Sequence, residues 1–294
     1  MTALLELDGA RIDQGGVPLI EGLTLTISGP SAGLVGDVGG VFALIGGGAH
    51  LAAGRAQVLG HPAEGAVAAG ALGVCRAELE LPPSWELGRY LTEGARLGGL
   101  GRRSAADRVR AVLSELELSH LSTRRLSTLT LAEQRAAGLA LALLDAPPTL
   151  AIEAPTRGLD DRGVELICRA IERARAGRQL LLSTQALPHT GAEHALWSSL
   201  DEVIVLEAGA IVERGPLAAL GPPGDRYLIS VTRHGAELGA KLESDGFRVT
   251  FADGSARLVV SRPEAGDTDA IVEAALAVEA PIVELIPLSA ARSG

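Results

Sequence analysis

Residues 33–47 read GLVGDVGGVFALIGG, a glycine-rich loop set between two apolar segments. Leu34-Val35 before it has strand character, and Val41 to Ile45 after it predicts a helix. A strand, a glycine loop and a helix in that order belong in a chain whose strands and helices alternate around a largely parallel sheet. The glycines Gly36, Gly39 and Gly40 stand where a phosphate-binding loop carries them. The chemistry of such a loop is missing. It needs a lysine for the β- and γ-phosphates and a Ser or Thr hydroxyl for Mg²⁺, and those places hold Phe42 and Ala43. An aromatic ring does not neutralise a phosphate, and a methyl group does not coordinate a metal. No lysine elsewhere in the local chain replaces the missing one, because Lys241 is the sole lysine of the sequence.

The rest of the chain continues the alternation. Residues 3–7 and 23–27 read as strands around a glycine turn at Gln14-Gly15-Gly16. Leu72 to Cys75 reads as a short buried strand, and Leu87 to Leu97 as a helix. Ser104 to Asp107 offers a cap for a helix over Arg108 to Leu118, and residues 131–144 predict a very apolar helix. Segment 61–72 carries little signal. Thr149 to Ile152, Gln179 to Ser183, Val203 to Leu206 and Ala210 to Val212 read as strands. Asp161 to Ala176 reads as a helix, and Glu207-Ala208-Gly209 as a hairpin turn. Gly221-Pro222-Pro223-Gly224 is the best domain boundary. Beyond it, Arg226–Val231, Phe247–Phe251, Ala256–Ser261 and Ile282–Pro287 read as strands, with a turn at Gly254. Ala236–Glu243 and Asp267–Ala277 read as helices. That order is a ferredoxin-like βαββαβ unit. The expected architecture is therefore α/β over residues 1–221, with a helical subdomain near 78–145, followed by a small α+β domain over 222–294.

Composition narrows the function. With 47% hydrophobic and only 2% aromatic residues among 294, the core must be built from Leu, Ala, Val and Ile. A formal net charge of −10 argues against a nucleic-acid partner. The arginine pairs Arg102-Arg103 and Arg124-Arg125 read as solvated helix ends or loops. Cys75 and Cys168 match no metal spacing and read as buried small hydrophobes. The amino terminus lacks the basic start and apolar core of a signal peptide, and no uncharged apolar run reaches the ~18 residues of a spanning helix. The chain reads as cytoplasmic, reaching the inner face of a membrane only through partners.

Further motifs follow in a fixed order. Leu129-Thr130-Leu131-Ala132-Glu133 opens the apolar helix. The strand LAIEAPT runs through Glu153 and Ala154 into Pro155-Thr156 and then Gly158-Leu159-Asp160. The strand LLLSTQ ends at Gln185. Together with the glycine loop, this order resembles the ATP-binding subunits of ABC transporters over residues 1 to about 220. The likeness is strongest to those serving ABC-2-type exporters and gliding-motility exporters. The small tail is similar to the tail domain common in that group.

The resemblance implies a P-loop NTPase-like nucleotide-binding domain with degenerate motifs. Glu153 takes the place of the metal-holding Asp, where its carboxylate retains some reach to a metal. Ala154 takes that of the catalytic Glu and Gln185 that of the switch histidine. Gln14 stands for the aromatic that stacks on adenine, and Ala77 for the glutamine that senses Mg²⁺. Leu129 to Glu133 is the signature: Thr130 keeps its hydroxyl, while Ala132 adds a methyl group where a glycine lets backbone approach the partner's γ-phosphate. An alternative register over Leu126-Ser127-Thr128-Leu129 fits the spacing less well. Asp160 is either the D-loop acid or a cap for the following helix.

These changes remove the phosphate cation, the metal hydroxyl and the general base. What the resemblance then implies is a pseudo-ATPase without a resident cofactor, ATP and Mg²⁺ being held weakly or at a composite site shared with a partner. It would serve as scaffold or regulator of an ABC-2-type permease, of an intact ATP-binding subunit in a heterodimer, or of its own homodimer. A structural adaptor in a motility or secretion complex is the alternative. An atypical ATPase drawing its cation from Arg76 or Arg157 is a third reading.

Overall fold

A computed structural model describes residues 2–207, 209–220, 226–253, 256–261 and 268–288. The chain begins with a long hairpin, β1 (Leu5–Gln14) and β2 (Val17–Ile27), turned by Gly15 and Gly16 at φ +59° and +83°. Both values lie where side-chain-bearing residues are strained. Next come β3 (Ser31–Gly36), α1 (Gly39–Ile45), β4 (His50–Val58), β5 (His61–Pro62) and β6 (Leu72–Cys75). Three helices follow: α2 (Leu87–Leu97), α3 (Arg102–Glu115) and α4 (Leu131–Ala142). Then come β7 (Thr149–Ile152), α5 (Asp161–Ala174), β8 (Gln179–Thr184), α6 (Gly191–Ser198), β9 (Glu202–Glu207) and β10 (Ala210–Gly215). The tail holds β11 (Arg226–Val231), α7 (Gly235–Ser244), β12 (Arg248–Asp253), β13 (Arg257–Ser261), α8 (Thr268–Ala277) and β14 (Ile282–Leu288).

The central sheet has the order β10-β9-β3-β8-β7-β6. It is parallel except for β10, which runs antiparallel on β9. Its strands are covered on both faces, so they read as unbroken apolar runs. Side chains alternate between two cores. Leu150, Ile152, Leu180, Leu182, Val203 and Val205 join the helices α2 to α6. Ala151, Leu181, Ile204 and Leu206 face α1 and the antiparallel sheet β2-β1-β4-β5. Gly33 on β3 lets Trp197 of α6 lie against the sheet: a Cβ there would stand 2.2 Å from the indole ring.

The tail sheet has the order β12-β13-β11-β14 with every neighbour antiparallel, the arrangement of a split βαββαβ unit. Ile229, Leu258 and Val260 on one face bury α7 and α8. Leu228 and Val259 on the other face join the main core, next to Val212 of β10. The glycine-proline boundary at 221–224, Ala208 of the hairpin turn and Gly254 lie outside the described residues.

Several expectations need correction. Helix α3 begins at Arg102, not Arg108, and Gly101 stands at its N-cap with no side-chain hydrogen bond, so Ser104 lies inside the helix. The strand β4 was not foreseen. Its HLAAGRAQV sequence has little strand propensity and is fixed by antiparallel pairing with β1. Helix α6 was also missed. Helices α4 and α5 stop two residues short of their expected ends.

Candidate functional site

A parallel sheet presents its ligand-binding edge at the carboxyl ends of its strands. Here that edge gathers the ends of β3 at Gly36, β6 at Cys75, β7 at Ile152 and β8 at Thr184. A cleft of about 700 Å³ opens there, lined by Gln14, Pro18, Leu19, Ile20, Glu21, Asp37, Gly39, Gly40, Ala43, Arg76, Glu153, Gly209 and Arg257.

The glycine loop forms the floor, and two of its amides are engaged by backbone carbonyls. The Asp37 N–H donates to the Leu206 carbonyl at 3.1 Å, and the Val38 N–H to the Gly36 carbonyl at 2.8 Å. Gly36, at φ +93°, is required by packing, since a Cβ would stand 2.1 Å from the Leu206 carbonyl oxygen. A Cβ on Gly40 would stand 2.9 Å from Ile20, so β2 closes over the loop at that point. Gly39 has open space in front of it. Phe42 is 0% exposed and belongs to the core with Val38, Val41, Leu44 and Ile45. Successive helical residues point about 100° apart, so Ala43 faces the cleft and Phe42 faces away from it.

The walls carry charge. Glu153 accepts from the Ala77 N–H at 3.2 Å and pairs with Arg76 at 3.8 Å. Arg76 reaches the cleft along the end of α1, where a Cβ on Gly48 would stand 3.0 Å from its guanidinium. Glu21, Asp37 and Glu153 set three carboxylates against the guanidiniums of Arg76 and Arg257, one negative charge in excess. Gln14 donates to the Gly48 carbonyl at 2.9 Å. Arg257 comes from β13 in the tail, over two hundred residues away in sequence, and no sequence signal marks it. Arg157 does not line the cleft and pairs with Glu78 at 2.7 Å.

Beside the cleft, Ala154 sits at φ +39° and donates its N–H to the Ser183 hydroxyl at 3.1 Å. Thr156 donates to Glu193 at 2.6 Å. Burial pushes the Glu193 carboxyl above its ordinary value, with the Thr156 hydrogen bond opposing. Gln185 lies exposed in the bend after β8.

The residues expected to form the signature and D-loop stand at helix starts. Thr130 is the N-cap of α4 in a capping box: its hydroxyl accepts from the Glu133 N–H, and Glu133 accepts from the Thr130 N–H at 2.7 Å. The rival segment Leu126–Thr128 is a 3₁₀ turn. Leu131 is 44% exposed and Ala132 is buried. Asp160 caps α5, accepting from the Gly163 N–H at 2.8 Å. Cys75 and Cys168 are buried and unbridged, as the sequence suggested, and burial pushes both thiols up to about 12. Among the described residues no cluster of acids, His or Cys could hold a metal ion, and no helix is long and apolar enough to cross a membrane.

Comparison with known proteins gives one consistent answer. No family profile matches the chain. It is 32% identical over 124 residues to a phosphonates import ATP-binding protein of Anaeromyxobacter dehalogenans, covering 42% of this chain and 24% of the relative. It is 31% identical over 144 residues to a zinc import ATP-binding protein of Cereibacter sphaeroides, covering 48% and 57%. Over 205 residues it is 26% identical to a doxorubicin resistance ATP-binding protein of Mycobacterium tuberculosis, covering 67% and 60%. In each case the chain spans less than two thirds of the relative's length. The solved structure of cbiO1 from Clostridium perfringens, part of an ABC transporter complex, superposes with a TM-score of 0.61 at 17% identity, covering 74% of this chain and 90% of that one. An ATP-binding cassette of an ABC transporter in its ADP conformation gives 0.59 at 15% identity, covering 74% and 92%. The chain has the fold of an ABC nucleotide-binding domain, and its sequence relatives are ATP-binding subunits of ABC transporters.

Proposed function

We propose that this chain is a non-hydrolytic ABC-type subunit, a pseudo-ATPase that serves as scaffold or regulatory partner of an ABC-2-type permease, of an intact ATP-binding subunit, or of both. One observation carries the reading: the position that should extend a lysine to phosphate is a fully buried phenylalanine in the inner core. Three features of the cleft support it. Its rim holds an excess negative charge, which repels a polyanion such as ATP. The Asp37 and Val38 amides are spent on backbone carbonyls. Ala154 carries no group that deprotonates or orients water. The residues present do not fit a nucleotide triphosphate with its Mg²⁺, and no chemical step is assigned to this cleft.

The face that carries the starts of α4 and α5 is better kept. Thr130 and Asp160 cap the adjoining helices α4 and α5, with Leu131 3.7 Å from the Cβ position of Gly158. In a mixed pair this face completes a site whose phosphate loop lies on the partner. The division at residues 221 and 222, with the tail as a separate interaction domain, belongs to the same reading.

The test has two parts. The purified chain is expected to hydrolyse no ATP above a buffer blank. Purification of the tagged chain from its own cells is expected to bring down a protein with several spanning helices. Hydrolysis lost on Glu153→Gln would overturn the pseudo-ATPase reading, and recovery of only filament or cytosolic components would favour the adaptor.

A further inference from the structure

At the edge of the cleft, where Arg76 and Glu153 line it, three guanidiniums and two carboxylates meet as α4 packs against the segments following β6 and β7. Arg76 pairs with Glu153, and Arg157 pairs with Glu78. Arg135 of α4 is left over. It is 6% exposed, yet its Nε and Nη1 have no hydrogen-bond partner and are sealed from solvent; Nη2 is not part of that sealed pair. A buried guanidinium left in this state destabilises the fold. In native proteins such a group is met by an ordered water, an ion or a ligand, or serves a function. Neither glutamate hydrogen-bonds it; each is paired with another arginine.

The segment is fixed in place. Cys75 Sγ contacts the Arg135 carbonyl oxygen at 3.8 Å, and a Cβ on Gly138 would stand 2.2 Å from Leu79. Burial, and then the charge of Arg157, push the Arg135 pKa below its ordinary value, although Cys75, Glu78 and Glu153 oppose. The neighbouring positive charge is thus not fully compensated. Arg157 and Arg76 are 43% and 42% exposed at their side chains, so the two ion pairs beside Arg135 reach solvent.

We propose that Arg135, which does not itself line the phosphate-loop cleft, is the receptor of a carboxylate binding site beside it, on the side of the Arg157–Glu78 pair. The cluster's excess is a single positive charge, which suits a monoanion, and a planar guanidinium fork matches a planar carboxylate. The carboxylate comes either from a free small acid or from an acidic side chain of a partner protein. The site does not depend on whether the cleft hydrolyses ATP.

Thermal unfolding of the full chain at constant pH and ionic strength tests this, with sodium acetate or a triglutamate peptide replacing sodium chloride. The wild type is expected to rise in melting temperature with either probe in a saturable way. Arg135→Met is expected to bind at least tenfold more weakly, and Arg103→Ala, on exposed surface, to respond like the wild type. Arg135→Lys keeps the charge but loses the fork, and reads the same loss if the methionine variant does not fold. Response to acetate alone supports a small-acid source, and a stronger response to the peptide supports a protein source. Equal midpoints in chloride and both probes, or equal responses from the wild type and the Arg135 variants, would overturn the proposal.

Discussion

Restoring the missing lysine should damage the fold before it restores any chemistry. Phe42 is fully buried among Val38, Val41, Leu44 and Ile45. Removing a buried phenylalanine ring costs about 3–5 kcal/mol. The lysine stem returns about 2 kcal/mol of apolar contact, while stripping water from its ammonium costs several. Phe42→Lys should therefore lose about 4 kcal/mol, a large part of the roughly 5–15 kcal/mol that holds a domain together. With a urea slope of about 3 kcal/mol/M, the unfolding midpoint falls by about 1.3 M. Equilibrium unfolding in urea, followed by the fluorescence of Trp85 and Trp197, reads this directly. Ala43→Ser is the control: its side chain faces the cleft, and its midpoint should move by less than about 0.3 M. A Phe42→Lys protein with wild-type stability and micromolar ATP affinity would refute the reasoning, because Phe42 would then be a replaceable loop residue.

Other perturbations test the local arguments. Thr130→Ala breaks the capping box of α4 and should cost about 1 kcal/mol in urea unfolding, while Thr130→Ser keeps most of it. Gly33→Ala drives a methyl group into the Trp197 ring and should cost about 3 kcal/mol, with a shift in tryptophan emission. Burial raises the Glu193 carboxyl above its ordinary 4.5, so the native state holds that proton more tightly than the unfolded chain. Its contribution is complete below pH 4.5 and is lost as pH rises through the raised value. Glu193→Gln should flatten that part of the stability profile, read by urea unfolding from pH 4 to pH 8.

Much of the scaffold was legible in the sequence because its signals are local. The boundaries Leu72–Cys75, Leu87–Leu97 and Thr149–Ile152 were read to the residue: the two strands are apolar runs closed by a charge, and the helix is an amphipathic stretch closed by a glycine. The strand β4 escaped because His50–Val58 is strand only through its pairing with β1. The cleft was half legible. Phe42 and Ala43 announced the missing chemistry, but only packing shows that Gly36 is held by the Leu206 carbonyl and that Phe42 is a core residue. Asp160 invited both a functional and a capping reading, and its capping geometry is present; Thr130, read only as the signature hydroxyl, is an N-cap as well. Arg257 and Arg135 owe their positions to contacts between segments far apart in the chain, and no motif predicts such contacts.

The central claim is that the glycine loop keeps its turn and has lost its nucleotide. Calorimetric titration of the full chain with ATP, with and without Mg²⁺, tests that most directly. The account predicts no saturable heat, or a dissociation constant of about 1 mM or weaker that Mg²⁺ does not improve. A micromolar constant that tightens with Mg²⁺ and is lost on Gly39→Asp would contradict it.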